Sequence, residues 1–273
     1  MKASVMAGQM KHINGMQMYC EIHGEGEPLV LLHGFTGCGS DWGLVFKDPP
    51  KGYRLVIPDL RGHGASSNPS TTFTFRQSAL DVFALLDQLE IDRFRAVGLS
   101  GGGNTLLHMA TQQPTRIEAM VLVAAAPYFP EQARAIMRKV TVDTRTAEEW
   151  QVMRERHKHG DDQIRALWMQ GNAFKDSYDD MSFTPPHLAT ITARTLIVHG
   201  DRDPLYPMTI PIEMYNAIPR SYLWIIPNGG HEPIFGDMAD RFVGTALAFL
   251  RGEWGRVLGG AAAQTLEAPK ERV

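Results

Sequence analysis

Val97-Gly98-Leu99-Ser100-Gly101-Gly102-Gly103 decides how the rest of the chain is read. An apolar run over 94–99 leads into it as a buried strand, and a helical pattern over 104–113 leads away. Between them the backbone must reverse from strand to helix within about four residues. That forces Ser100 into a strained conformation whose neighbours must be small, a demand that Gly98, Gly101 and Gly102 meet. The Gly-x-Ser-x-Gly spacing is that of a nucleophile elbow. Such an elbow lifts a serine hydroxyl to the rim of a sheet and sets the free N–H groups of a helix N-terminus beside it. An ordinary glycine turn is the plainer reading of the glycines alone; the strand before and the helix after favour the elbow.

Outward from the elbow, short apolar runs at 29–32, 54–57, 117–124, 195–198 and 221–226 read as strands buried on both faces, and 16–22 as an edge strand. Helical spacing marks 74–89, 208–218 and 237–250, with Phe75, Ala79, Val82, Phe83, Leu86 and Leu89 on one side of the first. Strands alternating with helices define an α/β chain with a mainly parallel, doubly wound sheet, whose functional crevice lies at the carboxyl ends of the strands. Residues 128–188 break that rhythm. They carry no strand signal, show helical patterns near 131–140, 147–157 and 163–170, and close on Pro185-Pro186. The reading is therefore a core of 1–127 and 189–254, an inserted helical cap of 128–188, and a Gly/Ala-rich tail of 255–273.

The composition fits a globular enzyme or receptor and gives no cause to expect a polymer partner. In 273 residues, 44% are hydrophobic and 21% charged, with a formal net charge of −3. Interspersed charge of that size offers no electrostatic footprint for nucleic acid or an anionic membrane. No apolar run approaches the roughly 20 residues that span a bilayer, and residues 1–16 lack a signal-peptide core, so a cytoplasmic protein is expected. A homo-oligomer is compatible with the sequence. Cys20 and Cys38 suggest no disulfide framework and are read as free thiols.

A serine hydroxyl needs a base to become a nucleophile, and that base needs an orienting carboxylate. His231 follows the last strand and Asp203 follows the strand before it, so the order Ser100…Asp203…His231 suits an acyl-transfer triad. Asp201 is the rival acid and His199 the rival base; Pro204 favours Asp203 by holding its segment as a loop. His63 lies in a turn, His108 in mid-helix, and His12 and His23 before the core strands. His157 and His159, flanking Lys158, read as a solvated face. A developing oxyanion needs two N–H donors. Gly101 supplies one; Phe35, after His33-Gly34, supplies the other, with His33 bracing the loops.

Taken together, His33-Gly34-Phe35, Asp59-Leu60-Arg61-Gly62-His63-Gly64-x-Ser66, Gly98-x-Ser100-x-Gly102, Gly200-x-x-Asp203 and Gly230-His231 resemble the α/β-hydrolase superfamily over about residues 15–252. The resemblance implies Ser100 as nucleophile, His231 as base, Asp203 as acid, and Phe35 with Gly101 as oxyanion donors. It gives Asp59 to Gly64 a structural turn below the site. Serine at the elbow is unlike the aspartate of the haloalkane dehalogenases and epoxide hydrolases in this superfamily. The His-Gly-Phe-Thr-Gly opening is similar to the menaquinone-pathway lyase branch, which usually carries an arginine where Gly103-Asn104-Thr105 stands here.

No zinc-protease helix, dinucleotide fingerprint or P-loop occurs, so neither a metal nor an organic cofactor is expected. Phe35, Leu99, Tyr128, Phe129, Trp150 and Trp168 can line an apolar pocket; the competing account places the last four in the cap's own core. Arg134, Arg138, Arg154 and Arg165 read as solvated surface, with carboxylate binding the alternative. The expected function is hydrolysis of a small or medium, mostly apolar carboxylic ester through an acyl-enzyme. A carbon–carbon bond hydrolase, a lactonase and a small-molecule receptor on the same fold are the alternatives.

Overall fold

The computed structural model describes residues 8–70 and 72–254. Among these residues eight strands form one sheet: β1 (Gln9–Ile13), β2 (Met16–Gly24), β3 (Glu27–Leu32), β4 (Tyr53–Pro58), β5 (Phe94–Leu99), β6 (Ile117–Val123), β7 (Arg194–Gly200) and β8 (Ser221–Ile226). Their order is β1-β2-β4-β3-β5-β6-β7-β8. Only the β1–β2 and β2–β4 pairs are antiparallel. The edge strand is thus β1, and residues 16–22, read as an edge, lie one strand further in. The two-residue turn Asn14-Gly15, with φ of 44° and 76°, closes the hairpin at the Ile13–Met16 pair. Asn-Gly is the dipeptide that favours such a turn, because both central residues need positive φ.

Among the described residues, eight α-helices flank or extend from the sheet: α1 (Phe75–Gln88), α2 (Gly101–Gln112), α3 (Glu131–Met137), α4 (Ala147–Arg156), α5 (Asp161–Ala173), α6 (Pro185–Leu188), α7 (Thr209–Ala217) and α8 (Ala239–Leu250). The period-2 alternation of the central strands feeds two cores. Val30, Leu32, Ala96 and Leu122 pack with α1, α2 and α7 on one face. Leu29, Leu31, Val97 and Val121 pack on the other with Phe242 and Phe249 of α8 and with Trp42. Burial on both faces is why these strands read as unbroken apolar runs.

Residues 128–188 contain helices α3 to α6 and no strand longer than the isolated Tyr128–Ser182 bridge among the described residues. Pro185-Pro186 opens the short α6, which ends at Leu188, since proline is tolerated in the first helical turn. Met137, Phe174, Met181, Phe183 and Leu188 join the α1–α2 side of the core, whereas Met153, Ile164, Leu167 and Trp168 form a cluster of their own. Residues 255–273, read as a tail, lie outside the described residues. No helix among the described residues is long and apolar enough to cross a membrane.

Strand order reverses between β3 and β5: the chain runs from β3 outward to β4, then crosses to β5 and proceeds the other way. At such a switch point the loops leaving two adjacent parallel strands diverge and open a crevice. Leu32 pairs with Gly98, so the loop after β3 and the elbow after β5 emerge side by side.

Candidate active site

The elbow is built as its glycines require. Ser100 has φ 49° and ψ −111°, a positive-φ conformation uncommon for a residue with a side chain. Its N–H is held by the Val123 carbonyl at 2.7 Å and its carbonyl by the Asn104 N–H at 2.8 Å. A Cβ on Gly98 would lie 2.6 Å from the Gly102 backbone, and one on Gly102 would lie 2.1 Å from the Leu32 oxygen. Neither position can carry a side chain without moving backbone.

The loops after β5, β7 and β8 bring together three side chains far apart in sequence. The Ser100 hydroxyl is 2.8 Å from His231 Nε2, and His231 Nδ1 is 2.8 Å from Asp203 Oδ2. Facing a carboxylate, Nδ1 carries the proton and donates it, which leaves Nε2 bare to accept the Ser100 proton. Asp203 is buried, and its other oxygen accepts the Leu205 and Tyr206 N–H groups at 2.8 and 3.1 Å. Burial alone would raise the Asp203 carboxyl; the His231 hydrogen bond, the imidazole's charge and the two N–H donors hold it below the usual carboxylate range. Asp201 is exposed on the same loop. His199 Nε2 donates to the Tyr206 carbonyl at 2.9 Å and lies 3.9 Å from Asp203. It braces the acid loop and lies outside the relay.

Phe35 and Gly101 are neighbours: a Cβ on Gly101 would lie 3.0 Å from the Phe35 nitrogen. Among the described hydrogen bonds neither N–H donates to any acceptor. The carbonyl of the Gly34–Phe35 peptide accepts the Gly37 N–H at 3.0 Å and the His33 Nδ1–H at 2.8 Å. His33 Nε2 must accept, because the Leu60 N–H points at it from 2.9 Å, so Nδ1 carries the proton. Two donors on that carbonyl fix the peptide plane and with it the direction of the Phe35 N–H.

A cavity of about 430 Å³ is walled by Phe35 and Leu99, the sequence neighbours of the turn and the elbow, with Leu44, Phe235, Asp41, Arg156 and Glu232; Ser100 and His231 are not among its walls. The other four pocket candidates lie elsewhere. Tyr128 donates to Glu213 of α7 at 2.7 Å. Phe129 packs in a buried ring cluster with Phe75 and Phe174. Trp150 and Trp168 meet edge to face at 4.6 Å inside the separate cluster formed with Met153, Ile164 and Leu167. None of the four lines the cavity beside Leu99. Of the arginines, Arg134 is buried and not solvated; it donates to the Phe129 and Ser177 carbonyls. Arg138 and Arg154 pair with Glu131 and Asp161, and Arg165 stacks on Trp150.

His157 is the main residue misread from the sequence. It is 3% exposed and not part of a solvated face. The signal was present: Trp150, Met153 and His157 fall at i, i+3 and i+7, one side of a helix. His159, by contrast, is exposed, with its ring nitrogen 2.9 Å from the Ala65 carbonyl.

A family model of the alpha/beta hydrolase fold matches residues 27–146. A putative non-heme chloroperoxidase of Synechocystis sp. is 30% identical over 247 aligned residues, covering 79% of this chain and 88% of that protein. The human serine hydrolase BPHL is 29% identical over 247, covering 88% and 84%. Among solved structures, a meta-cleavage product hydrolase of Pseudomonas fluorescens superposes with a TM-score of 0.74 at 22% identity, over 90% of this chain and 98% of that one, a likeness of fold alone. The chain belongs to the α/β-hydrolase fold family.

Proposed function

We propose that the protein is a serine hydrolase that cleaves carboxylic esters of small, mostly apolar molecules through an acyl-enzyme. The observation that carries this reading is the unbroken relay from Asp203 through His231 to Ser100, beside two backbone N–H groups that donate to no other acceptor among the described residues. Ser100 Oγ attacks the ester carbonyl as its proton passes to His231 Nε2. The oxyanion then sits between the Gly101 N–H at the N-terminus of α2 and the Phe35 N–H in the turn after β3, two preorganised donors. Collapse breaks the carbon–oxygen bond, and His231 returns its proton to the departing alkoxide as the alcohol leaves. Water repeats the sequence: His231 takes a proton from it, the resulting hydroxide attacks the acyl carbon, and Ser100 leaves reprotonated as the acid is released. Asp203 stays ionised and steadies the imidazolium between the two proton transfers.

The walls formed by Phe35, Leu44, Leu99 and Phe235 suit an uncharged acyl or alkyl group, and residues 128–188 would cap that pocket. A series of p-nitrophenyl esters of increasing acyl length tests the reading. Short and medium chains should give a burst of nitrophenolate followed by steady turnover, and Ser100→Ala should abolish both. Absence of turnover on every ester, with activity on lactones or vinylogous diketones, would overturn ester cleavage in favour of those reactions.

A further inference from the structure

The junction between α4 and α5 grips the loop that carries Phe35. His157, the first residue after α4, is buried between two loops of the core. Its Nδ1 accepts the Gly64 N–H at 2.9 Å, so the proton is on Nε2, which donates to the Thr36 carbonyl at 3.1 Å. Thr36 is the third residue of the turn closed by the Gly37 N–H and the Gly34 carbonyl, and it has φ 67°. That corner of a turn usually falls to glycine or asparagine. A β-branched residue there is strained and persists only where its surroundings hold it. The adjacent Arg156 reinforces the grip: its Nε donates to Asp41 Oδ1 at 3.0 Å, and Asp41 Oδ2 accepts the Cys38 N–H at 3.1 Å. Above the turn, the Phe35 ring packs on His63 at 5.1 Å and on Phe174 of the inserted segment at 4.8 Å.

We propose that His157 is a positioning residue for the oxyanion turn, clamping the strained Thr36 from the inserted segment so that the Phe35 N–H is held in register with Gly101. The inference rests on the oxyanion role proposed above for Phe35. It implies that the second oxyanion donor is fixed only while the α4–α5 junction is seated on the core. The clamp acts on transition-state geometry more than on substrate affinity, so it belongs to kcat and not to KM.

Two variants of the full chain test it. His157→Phe keeps an aromatic ring but loses both hydrogen bonds; His157→Gln retains a donor for the Thr36 carbonyl. With p-nitrophenyl acetate the Phe variant should lose kcat by about 10- to 100-fold with KM nearly unchanged, the scale expected when a reacting group is misplaced by about 1 Å. The Gln variant should recover most of that loss. Hydrogen exchange of the Gly37 N–H, which closes the turn, should quicken in the Phe variant and stay slow in the Gln variant. Exchange unchanged in both variants overturns the clamp, whatever esters do. So does an equal loss of kcat in both, or a loss of thermal stability in the Phe variant with kcat intact. If exchange responds as expected but no ester is turned over even by the wild type, the clamp stands and the ester reading fails.

Discussion

At the residue scale, the site depends on which nitrogen of each histidine holds the proton. His231 is set by Asp203 on one side and Ser100 on the other. Asp203→Asn would let Nδ1 accept instead of donate, turning the bare nitrogen away from the serine. The expected result is a fall in kcat of about 10⁴-fold with the fold intact, read by steady-state kinetics beside circular dichroism. Retention of more than a tenth of the activity would mean that another group orients the imidazole. Thr36 offers the opposite kind of test. Its φ of 67° suits asparagine better than a β-branched residue. Thr36→Asn should therefore raise unfolding stability by about 1 kcal/mol in urea titrations; a loss would show that the turn carries no strain.

At the element scale, the parts easiest to read were those under a single strong constraint. The elbow strand ends at Leu99 and the last strand covers Ser221–Ile226, as the apolar runs mark them. Helix α1 begins after Thr74, whose hydroxyl accepts the Gln77 N–H at 3.0 Å, one turn into the apolar stripe. Strand β1 is not marked by its sequence, because Gln9 and Lys11 stand at its half-buried positions and the apolar Met10 at an exposed one, so only Ile13 signals the buried face. Long-range polar partnerships were equally invisible. Asp81 lies on the buried face of α1, where the sequence suggests only apolar residues, because Arg61 meets it there with bonds of 2.7 and 2.9 Å. Both side chains are almost wholly buried. Asp81→Ala would strand the guanidinium in the core and should cost about 3–5 kcal/mol of stability. A cost below 1 kcal/mol would mean that water reaches Arg61.

At the scale of the whole molecule, residues 128–188 are tied to the rest of the chain by polar contacts at two ends. Asp180 of the segment caps α1 by accepting the Phe75 and Arg76 N–H groups at 2.8 and 3.1 Å, and its own carbonyl accepts from His108 Nε2 at 2.7 Å. His157 ties the other end. Burial pushes both imidazoles down to about 4, below the 6.5 of an exposed histidine. Between those values the unfolded chain binds protons that the folded chain refuses. Stability contributed by each neutral imidazole is therefore full above pH 6.5 and drains as pH falls towards 4, at up to about 1.4 kcal/mol per pH unit for each. Urea unfolding at pH 6.5 and pH 5 should show that slope, and His108→Phe should make it shallower. Equal slopes in the two proteins would mean that His108 is protonated in the fold. The same ties explain how the candidate site is divided between regions: Ser100, Asp203 and His231 hang from strand ends, where sequence pattern marks them. The support for the Thr36 turn comes from a helix end more than a hundred residues away, which no local pattern reveals.

On the proposed mechanism Ser100 becomes acylated during turnover. Wild type quenched within the burst phase on p-nitrophenyl acetate, digested and weighed by mass spectrometry, should carry one acetyl group on the peptide containing Ser100. His231→Ala and Ser100→Ala should carry none. Steady ester turnover with no acetyl on that peptide, or the same adduct persisting in Ser100→Ala, would contradict it.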